Sequence, residues 1–192
     1  EFMGVWQDWL EYLDERMPLT ATFYNSLEEG KRIFSRGLFY GEPEEAEEIL
    51  RPLFTLGGGS LELEYIPFLT AMLKIGSVYP PSKKFKTTGR FVYEHYNRNT
   101  TNNLAGLLNH PPEGSTVVGL TFYAMGGKIA EVAPYDTAFY YRNARYIIGL
   151  LAVWEEKEYE RDNIEWVEDR FRYLKKITVG SYVNFPYSEL KD

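Results

Sequence analysis

The chain has 192 residues, of which 44% are hydrophobic, and this size and composition suit one globular domain with a sizeable core. Its formal net charge of −7 argues against non-specific nucleic-acid binding, which needs a basic surface. The lack of cysteine excludes disulfides, thiolate metal sites and a cysteine nucleophile. It is also compatible with a reducing compartment, and a cytoplasmic location is favoured. No apolar run approaches the ~20 residues of a membrane span.

The first part of the chain predicts helices and a pair of strands. Residues 1–4 look like a cloning remnant, so the fold is predicted for 5–192 as a single domain. Apolar spacing predicts a short helix over 6–16, and strands over 21–25 and 31–40 flank a turn. Pro43, followed by two acidic residues, begins a second helix. A helix or turn follows over 66–74, and then a basic loop over 83–86.

The second part predicts more strands and two further helices. Residues 90–93, 116–123, 145–154 and 179–185 are predicted to be extended. One helix is capped by Asn99 or Thr100, and a longer one by Asp162 or Asn163. Because the order of elements lacks βαβ periodicity, the sequence predicts an α+β domain with an antiparallel sheet and helices packed mainly on one face.

Standard catalytic motifs are missing from the sequence. There is no phosphate-binding glycine loop and no nucleophile elbow. His95 and His110 lack metal-ligand spacing, and the acidic runs suit solvated helix faces, so no metal site is predicted. The aromatic share of 17% indicates either a sheet-rich core or a cleft that stacks on a planar ligand, and composition alone favours the core.

Four segments, in chain order, resemble flavin-linked oxidases of the berberine bridge enzyme type. The element Tyr182-Val183-Asn184-Phe185 is similar to the family's Tyr-x-Asn-Tyr. A second match is the glycine pair Gly126-Gly127 together with the aromatic run over 137–142. A third is the start of the last helix, over 164–167, and a fourth is an entry helix over 6–9 with the second strand over 36–41. A further likeness covers residues 62–66.

The resemblance implies a two-domain enzyme. An N-terminal domain of the same chain would bind FAD, and this chain would be the substrate-binding domain, excised from the larger flavoenzyme, that covers the flavin ring. FAD is expected in the full-length protein and not in this fragment, which is expected to be inactive alone. The substrate is expected to be an alcohol, a sugar or a similar small molecule, with neither nucleic acid nor membrane as partner.

The resemblance also raises a question about the catalytic base. In many members the second tyrosine of Tyr-x-Asn-Tyr takes a proton from the substrate, and here that position is Phe185. Three alternatives are open. Tyr187 or Tyr182 acts as the base in its place, Tyr123 on the neighbouring strand acts as the base, or the usual reaction is lost. A tyrosine at another position is the favoured alternative. Strand alternation would place Tyr182 and Asn184 on one sheet face and Val183 and Phe185 on the other.

Other positions are expected to face substrate or cofactor: Asn184, Thr121, Tyr141 and Arg142. Tyr141 replaces a family histidine, whereas Arg142 is retained, and a structural ion pair is favoured for it over substrate binding. Two alternatives to an oxidoreductase stay open, a binding module without redox chemistry and a coat-like structural protein that keeps the fold. Phe185 gives weight to the structural alternative.

Overall fold

A computed structural model describes residues 1–56, 59–76 and 83–185 of the chain. These residues form a six-stranded antiparallel sheet and five α-helices, which confirms the predicted α+β class. The strands are β1 (Leu19–Ser26), β2 (Gly30–Gly37), β3 (Lys84–Val92), β4 (Ser115–Ala124), β5 (Tyr146–Trp154) and β6 (Val179–Ser181). The helices are α1 (Phe2–Trp9), α2 (Pro43–Phe54), α3 (Phe68–Gly76), α4 (Arg98–Gly106) and α5 (Glu160–Ile177).

The sheet buries one of its faces under helices. Its strand order is β2-β1-β4-β5-β3-β6, and every neighbouring pair is antiparallel. Alternate strand residues such as Leu120, Phe122 and Ile148 form one core with side chains of α1, α2, α4 and α5. Each large apolar side chain buried there contributes about 1.5–3 kcal/mol, so this helix-covered face holds most of the stability. The opposite side of the sheet is called the open face below.

A buried glutamine fixes α1 against the sheet. Gln7 donates to the Tyr96 carbonyl at 3.0 Å, and its side-chain oxygen accepts from the Tyr96 amide at 2.8 Å and from the Tyr146 hydroxyl at 3.1 Å. Three of the four hydrogen bonds that this side chain can make are therefore formed inside the core rather than with water. Residues 2 and 3, which the fold prediction left out, also belong here, because Phe2 packs on Phe23 and Met3 is buried.

The bounds of several elements differ from those predicted. The first helix spans Phe2–Trp9 and a 3₁₀ turn to Tyr12 rather than 6–16, and β2 ends at Gly37 rather than at 40. The predicted basic loop is wrong, since β3 begins at Lys84. β6 has three residues and pairs with the Arg90–Phe91 end of β3, so within the described ranges the lysine-bearing half of β3 lies at a sheet edge, where lysines are common.

Both predicted helix caps are also wrong. Asn97 caps α4 by accepting from the Thr100 amide at 2.9 Å, two residues before the earlier of the predicted positions. A 3₁₀ turn feeds α5, which begins at Glu160, and Asn163 instead lies buried and donates to the carbonyls of Glu113 and Tyr159. Only the start of α2 at Pro43 matches its prediction, because proline at the first turn is a strong signal. None of the helices in the described ranges is long and apolar enough to cross a bilayer.

Candidate functional site

The open face presents a mixed surface of hydroxyls and rings rather than a second sealed core. Its central side chains are half-buried: Thr20, Thr22, Thr121, Tyr123, Thr87 and Leu151. In the described ranges, one end of this face is closed by a small buried cluster of Phe91, Met125, Ala144 and Ile147. Further along the face the side chains are half-buried rather than sealed.

Two glycines make a gap in the middle of the open face. Gly89 of β3 pairs directly with Gly149 of β5. A Cβ on Gly89 would lie 2.2 Å from the Phe185 ring, and one on Gly149 would lie 3.3 Å from the Tyr123 ring. The two rings therefore lie in space that side chains would otherwise fill, 5.6 Å apart between centroids. An isolated glycine inside a strand often marks such a close approach.

The Tyr182 segment does not continue as a strand. β6 ends at Ser181; the Tyr182 amide donates to the Gly89 carbonyl and the Phe185 amide to the Tyr182 carbonyl, both at 2.9 Å. This turn brings the Tyr182 and Phe185 rings together, 5.2 Å apart, on the open face. The predicted alternation is therefore wrong, because it places Phe185 on the face opposite Tyr182.

Asn184 completes this turn. Its side-chain amide donates to the Tyr182 hydroxyl at 2.9 Å, and the amide group is exposed. Val183, between them, is 82% exposed and contributes nothing to the open face. The sequence prediction that Tyr182 and Asn184 act on the same side agrees with this contact, although a turn rather than a strand produces it.

Arg90 holds the turn from below, on the helix-covered face. Its guanidinium donates to the Thr178 hydroxyl at 2.6 Å, to the Ser181 hydroxyl at 3.0 Å and to the Thr178 carbonyl at 3.4 Å. The residue is 8% exposed and burial lowers the pKa of its guanidinium. A buried cation thus ties the end of α5 and β6 to β3, and β6 carries Tyr182.

We expect that replacing Arg90 with methionine loosens the turn while changing the free energy of unfolding by only about 1 kcal/mol. The small net effect follows because the lost hydrogen bonds are offset by no longer burying a charge. The Tyr182 amide should exchange with deuterium faster than in the wild type. Replacing Arg170 with methionine is the matched control, since Arg170 donates to Leu107 and Asn109 carbonyls away from β6. Unchanged exchange at Tyr182 in the Arg90 variant would contradict this account.

Tyr141 belongs to the packing under the turn. It stacks on Phe91 with centroids 4.1 Å apart and planes at 13°. Gly180 has a φ of 61°, and a Cβ there would lie 2.1 Å from the Tyr141 hydroxyl. Phe91 also meets the edge of Tyr182 at 5.9 Å. Tyr141 therefore supports the site from behind.

Arg142 and Thr121 have polar partners of different kinds. Arg142 donates to the Phe139 carbonyl at 3.0 Å and to the Thr137 hydroxyl at 2.5 Å. These partners are neutral acceptors rather than the carboxylate of the predicted ion pair. The Thr121 hydroxyl lies 3.1 Å from that of Thr22, so one of the two donates to the other.

Two further candidates remain. Tyr187 falls outside the described residues. His95 contacts Asp8 at 2.8 Å next to α1. Across the ranges 1–56, 59–76 and 83–185 no three His, Cys, Asp or Glu residues are placed to hold a metal ion. Sequence reasoning missed Gly89, Gly149 and Arg90; Gly149, which interrupts an apolar strand run, was the available signal.

A relative of known sequence aligns with the whole chain, although no family model matches it. The chain is 30% identical over 194 residues to the uncharacterised FAD-linked oxidoreductase YgaK of Bacillus subtilis (strain 168). The alignment covers 100% of this chain and 42% of YgaK. The chain thus spans less than half the length of this relative.

Solved structures show the same fold. The berberine bridge enzyme-like protein 28 of Arabidopsis thaliana superposes with a TM-score of 0.83 at 20% identity, covering 99% of this chain and 43% of that one. A variant of berberine bridge enzyme described as a reticuline dehydrogenase gives 0.82 at 17% identity, covering 99% and 41%. The resemblance predicted from the sequence is therefore confirmed: the chain is similar to one part of an FAD-linked oxidoreductase and has the fold of the corresponding part of berberine bridge enzyme-like proteins.

Proposed function

We propose that this chain is the substrate-binding domain of an FAD-linked oxidoreductase resembling berberine bridge enzyme. Its open face covers the flavin ring and orients an alcohol, sugar or similar small substrate for hydride transfer. The FAD-binding domain of the same polypeptide is its partner, and the relative's additional length supports this. The isolated chain is expected to hold no FAD and to be inactive.

The observation that carries the proposal is the gap at Gly89 and Gly149. Because neither glycine has a side chain, the Phe185 and Tyr123 rings lie close to the backbone, and together they offer a flat molecule an aromatic surface to pack on. Three rings, those of Tyr123, Tyr182 and Phe185, border this gap, and the Thr22–Thr121 hydroxyl pair lies beside it. Rings orient a planar partner by stacking or edge contacts, while the hydroxyls give direction to a polar substrate.

In the proposed reaction the flavin would accept a hydride from the substrate carbon. The chain's own residues orient the substrate and remove the proton of its hydroxyl. We assign the base to Tyr182, because the Asn184 amide donates to its phenol oxygen and would stabilise the phenolate that takes the proton. Tyr123 borders the same gap and orients the substrate ring.

An apolar surface supports a second domain as partner. Residues of the 59–76 segment expose large apolar side chains, from 41% at Leu63 to 79% at Tyr65. The others on this surface are Phe68, Leu69, Met72 and Leu73. Contiguous apolar exposure of this kind is uncommon on a free domain and marks a contact surface. We propose that the FAD-binding domain covers it.

A non-catalytic binding or coat-like protein that keeps the fold is the second candidate. Phe185 favours it, because the ring lies against Gly89 in the gap and carries no hydroxyl to take a proton. The two candidates differ in whether a bound flavin is reduced by a substrate.

The test is to express the full-length polypeptide and mix it anaerobically with a panel of alcohols, sugars, hydroxy acids and sugar acids. We expect one flavin per chain and bleaching of the flavin absorbance by at least one compound. A full-length protein that binds no flavin refutes the proposal. One that binds flavin but is reduced by none of the panel supports the non-catalytic candidate.

A further inference from the structure

An arginine on the open face has no partner of opposite charge. Arg36 of β2 is half-buried, and its guanidinium lies 5.1 Å from the centroid of the neighbouring Phe34 ring. Among the described residues its guanidinium makes no hydrogen bond and no ion pair. Arg16, by contrast, is bound by both Asp14 and Glu45. In a chain with 28 acidic residues, this leaves Arg36 available to a ligand.

The strand register places Arg36 on the same sheet face as the site. Arg36 pairs with Thr20 of β1, and Thr20 pairs with Tyr123 of β4, so the three side chains form one row across the open face. The next row runs from Phe34 through Thr22 and Thr121 to Gly149 and Gly89. Arg36 is therefore in line with the ring and hydroxyls that border the gap.

The open face carries no carboxylate in the strand positions of β1 to β5. The acid that approaches it is Glu29, whose side chain accepts from the Tyr24 hydroxyl at 2.6 Å. Tyr24 lies four residues along β1 from Thr20, which is about 13 Å in an antiparallel strand. The strand positions around Arg36 thus offer it no acidic partner, although the whole chain has a net charge of −7.

The neighbouring hydroxyls have limited donor capacity. The Thr20 hydroxyl already donates to the Arg36 carbonyl at 3.1 Å. In the Thr22–Thr121 pair one hydroxyl donates to the other, so one proton of the pair is left for a ligand. A planar guanidinium with one nearby hydroxyl donor matches an anionic oxygen group, above all a carboxylate.

We infer that Arg36 binds the carboxylate of the substrate, so that the substrate class is a hydroxy acid or sugar acid rather than a neutral alcohol. This rests on the proposed function and names the substrate of the same site. Four strand spacings separate Arg36 from Gly89, where the Tyr182 turn is held, or about 19 Å between backbones. Arg36 and Tyr182 both lie on the open face, so the proposed substrate occupies the surface between them.

The test uses the full-length flavoprotein and substrate pairs that differ only in the acid: glucuronate with glucose, and mandelate with benzyl alcohol. We expect the acid of a pair to have a kcat/KM at least about tenfold higher. Replacing Arg36 with glutamine should lower kcat/KM for the acid by about 30-fold, with the neutral partner unchanged, as for loss of one charged hydrogen-bonded contact. Replacing Arg32 with glutamine is the control, since Arg32 lies on the same strand face and donates to the Lys31 carbonyl.

Thermal shift measurements decide the inference separately from turnover. Glucuronate should raise the Tm of the wild type and not that of the Arg36→Gln variant, while glucose has no such dependence. If no pair is oxidised but this shift is seen, the proposed reaction fails and the anion site stands. The inference is overturned if the Arg36→Gln variant loses kcat/KM equally for the acid and the neutral compound of a pair. It is also overturned if this variant loses its flavin without any ligand, since Arg36 would then pair within the protein.

Discussion

Replacing Tyr182 with phenylalanine is expected to lower kcat of the full-length enzyme by about a hundred- to ten-thousand-fold, the usual contribution of a positioned general base. The ring would keep its edge contacts with Phe91 and Phe185, so only the hydroxyl and its bond from Asn184 are lost. The free energy of unfolding should therefore change by less than about 0.5 kcal/mol, as for most surface substitutions. Stopped-flow flavin reduction and chemical denaturation measure the two quantities.

Tyr123 provides the matched control for this substitution. It borders the same gap, and Tyr123→Phe should leave kcat within about tenfold of the wild type while raising KM, because an orienting contact acts on the bound substrate as well as on the transition state. If Tyr123→Phe abolishes turnover and Tyr182→Phe does not, the base has been assigned to the wrong tyrosine.

Replacing Phe91 with alanine is expected to destabilise the chain by about 3–5 kcal/mol, as for other fully buried phenylalanines. Phe91 has no exposed surface, and its ring stacks on Tyr141 and meets the edges of Phe139 and Tyr182. The substitution therefore leaves a cavity directly behind the site. The measurement is the denaturation midpoint in urea, with the slope of the transition checked for two-state behaviour.

Phe85 is the matched control for Phe91. It lies on the same strand and on the same sheet face, but it is 56% exposed. Phe85→Ala should cost less than about 1 kcal/mol, because little of its apolar area leaves water on folding. Similar losses for the two variants would show that the cluster under the site does not have the buried packing described above.

The sequence predicted the sheet more reliably than the site. The strand over 145–154 was predicted because nearly all of its residues are apolar, which is what a central strand between two neighbours requires. The half of β3 that carries Lys84 and Lys86 was missed because a polar pattern favours a loop, whereas a sheet edge tolerates it. The helix caps failed for a similar reason: several Asn, Thr and Asp residues compete near each helix start.

The geometry of the site was beyond sequence reasoning where it depends on tertiary contacts. That Tyr182 and Phe185 lie on one side results from a turn after β6, and the turn depends on the Gly89 carbonyl and on Arg90. Neither contact leaves a local pattern in the sequence. Arg36 lies on the open face, and its lack of an acidic partner became visible only with its described neighbours in place.

The central claim, that the open face covers the flavin, can be tested with two introduced thiols in the full-length protein. The chain has no cysteine, and Thr121 and Thr101 are both half-buried, on the open face and on α4 respectively. Alkylation rates would be measured by peptide mass spectrometry for Thr121→Cys and Thr101→Cys. We expect the thiol at 121 to be protected and the thiol at 101 to react; rapid alkylation at 121 in the flavin-loaded protein would contradict the proposed arrangement.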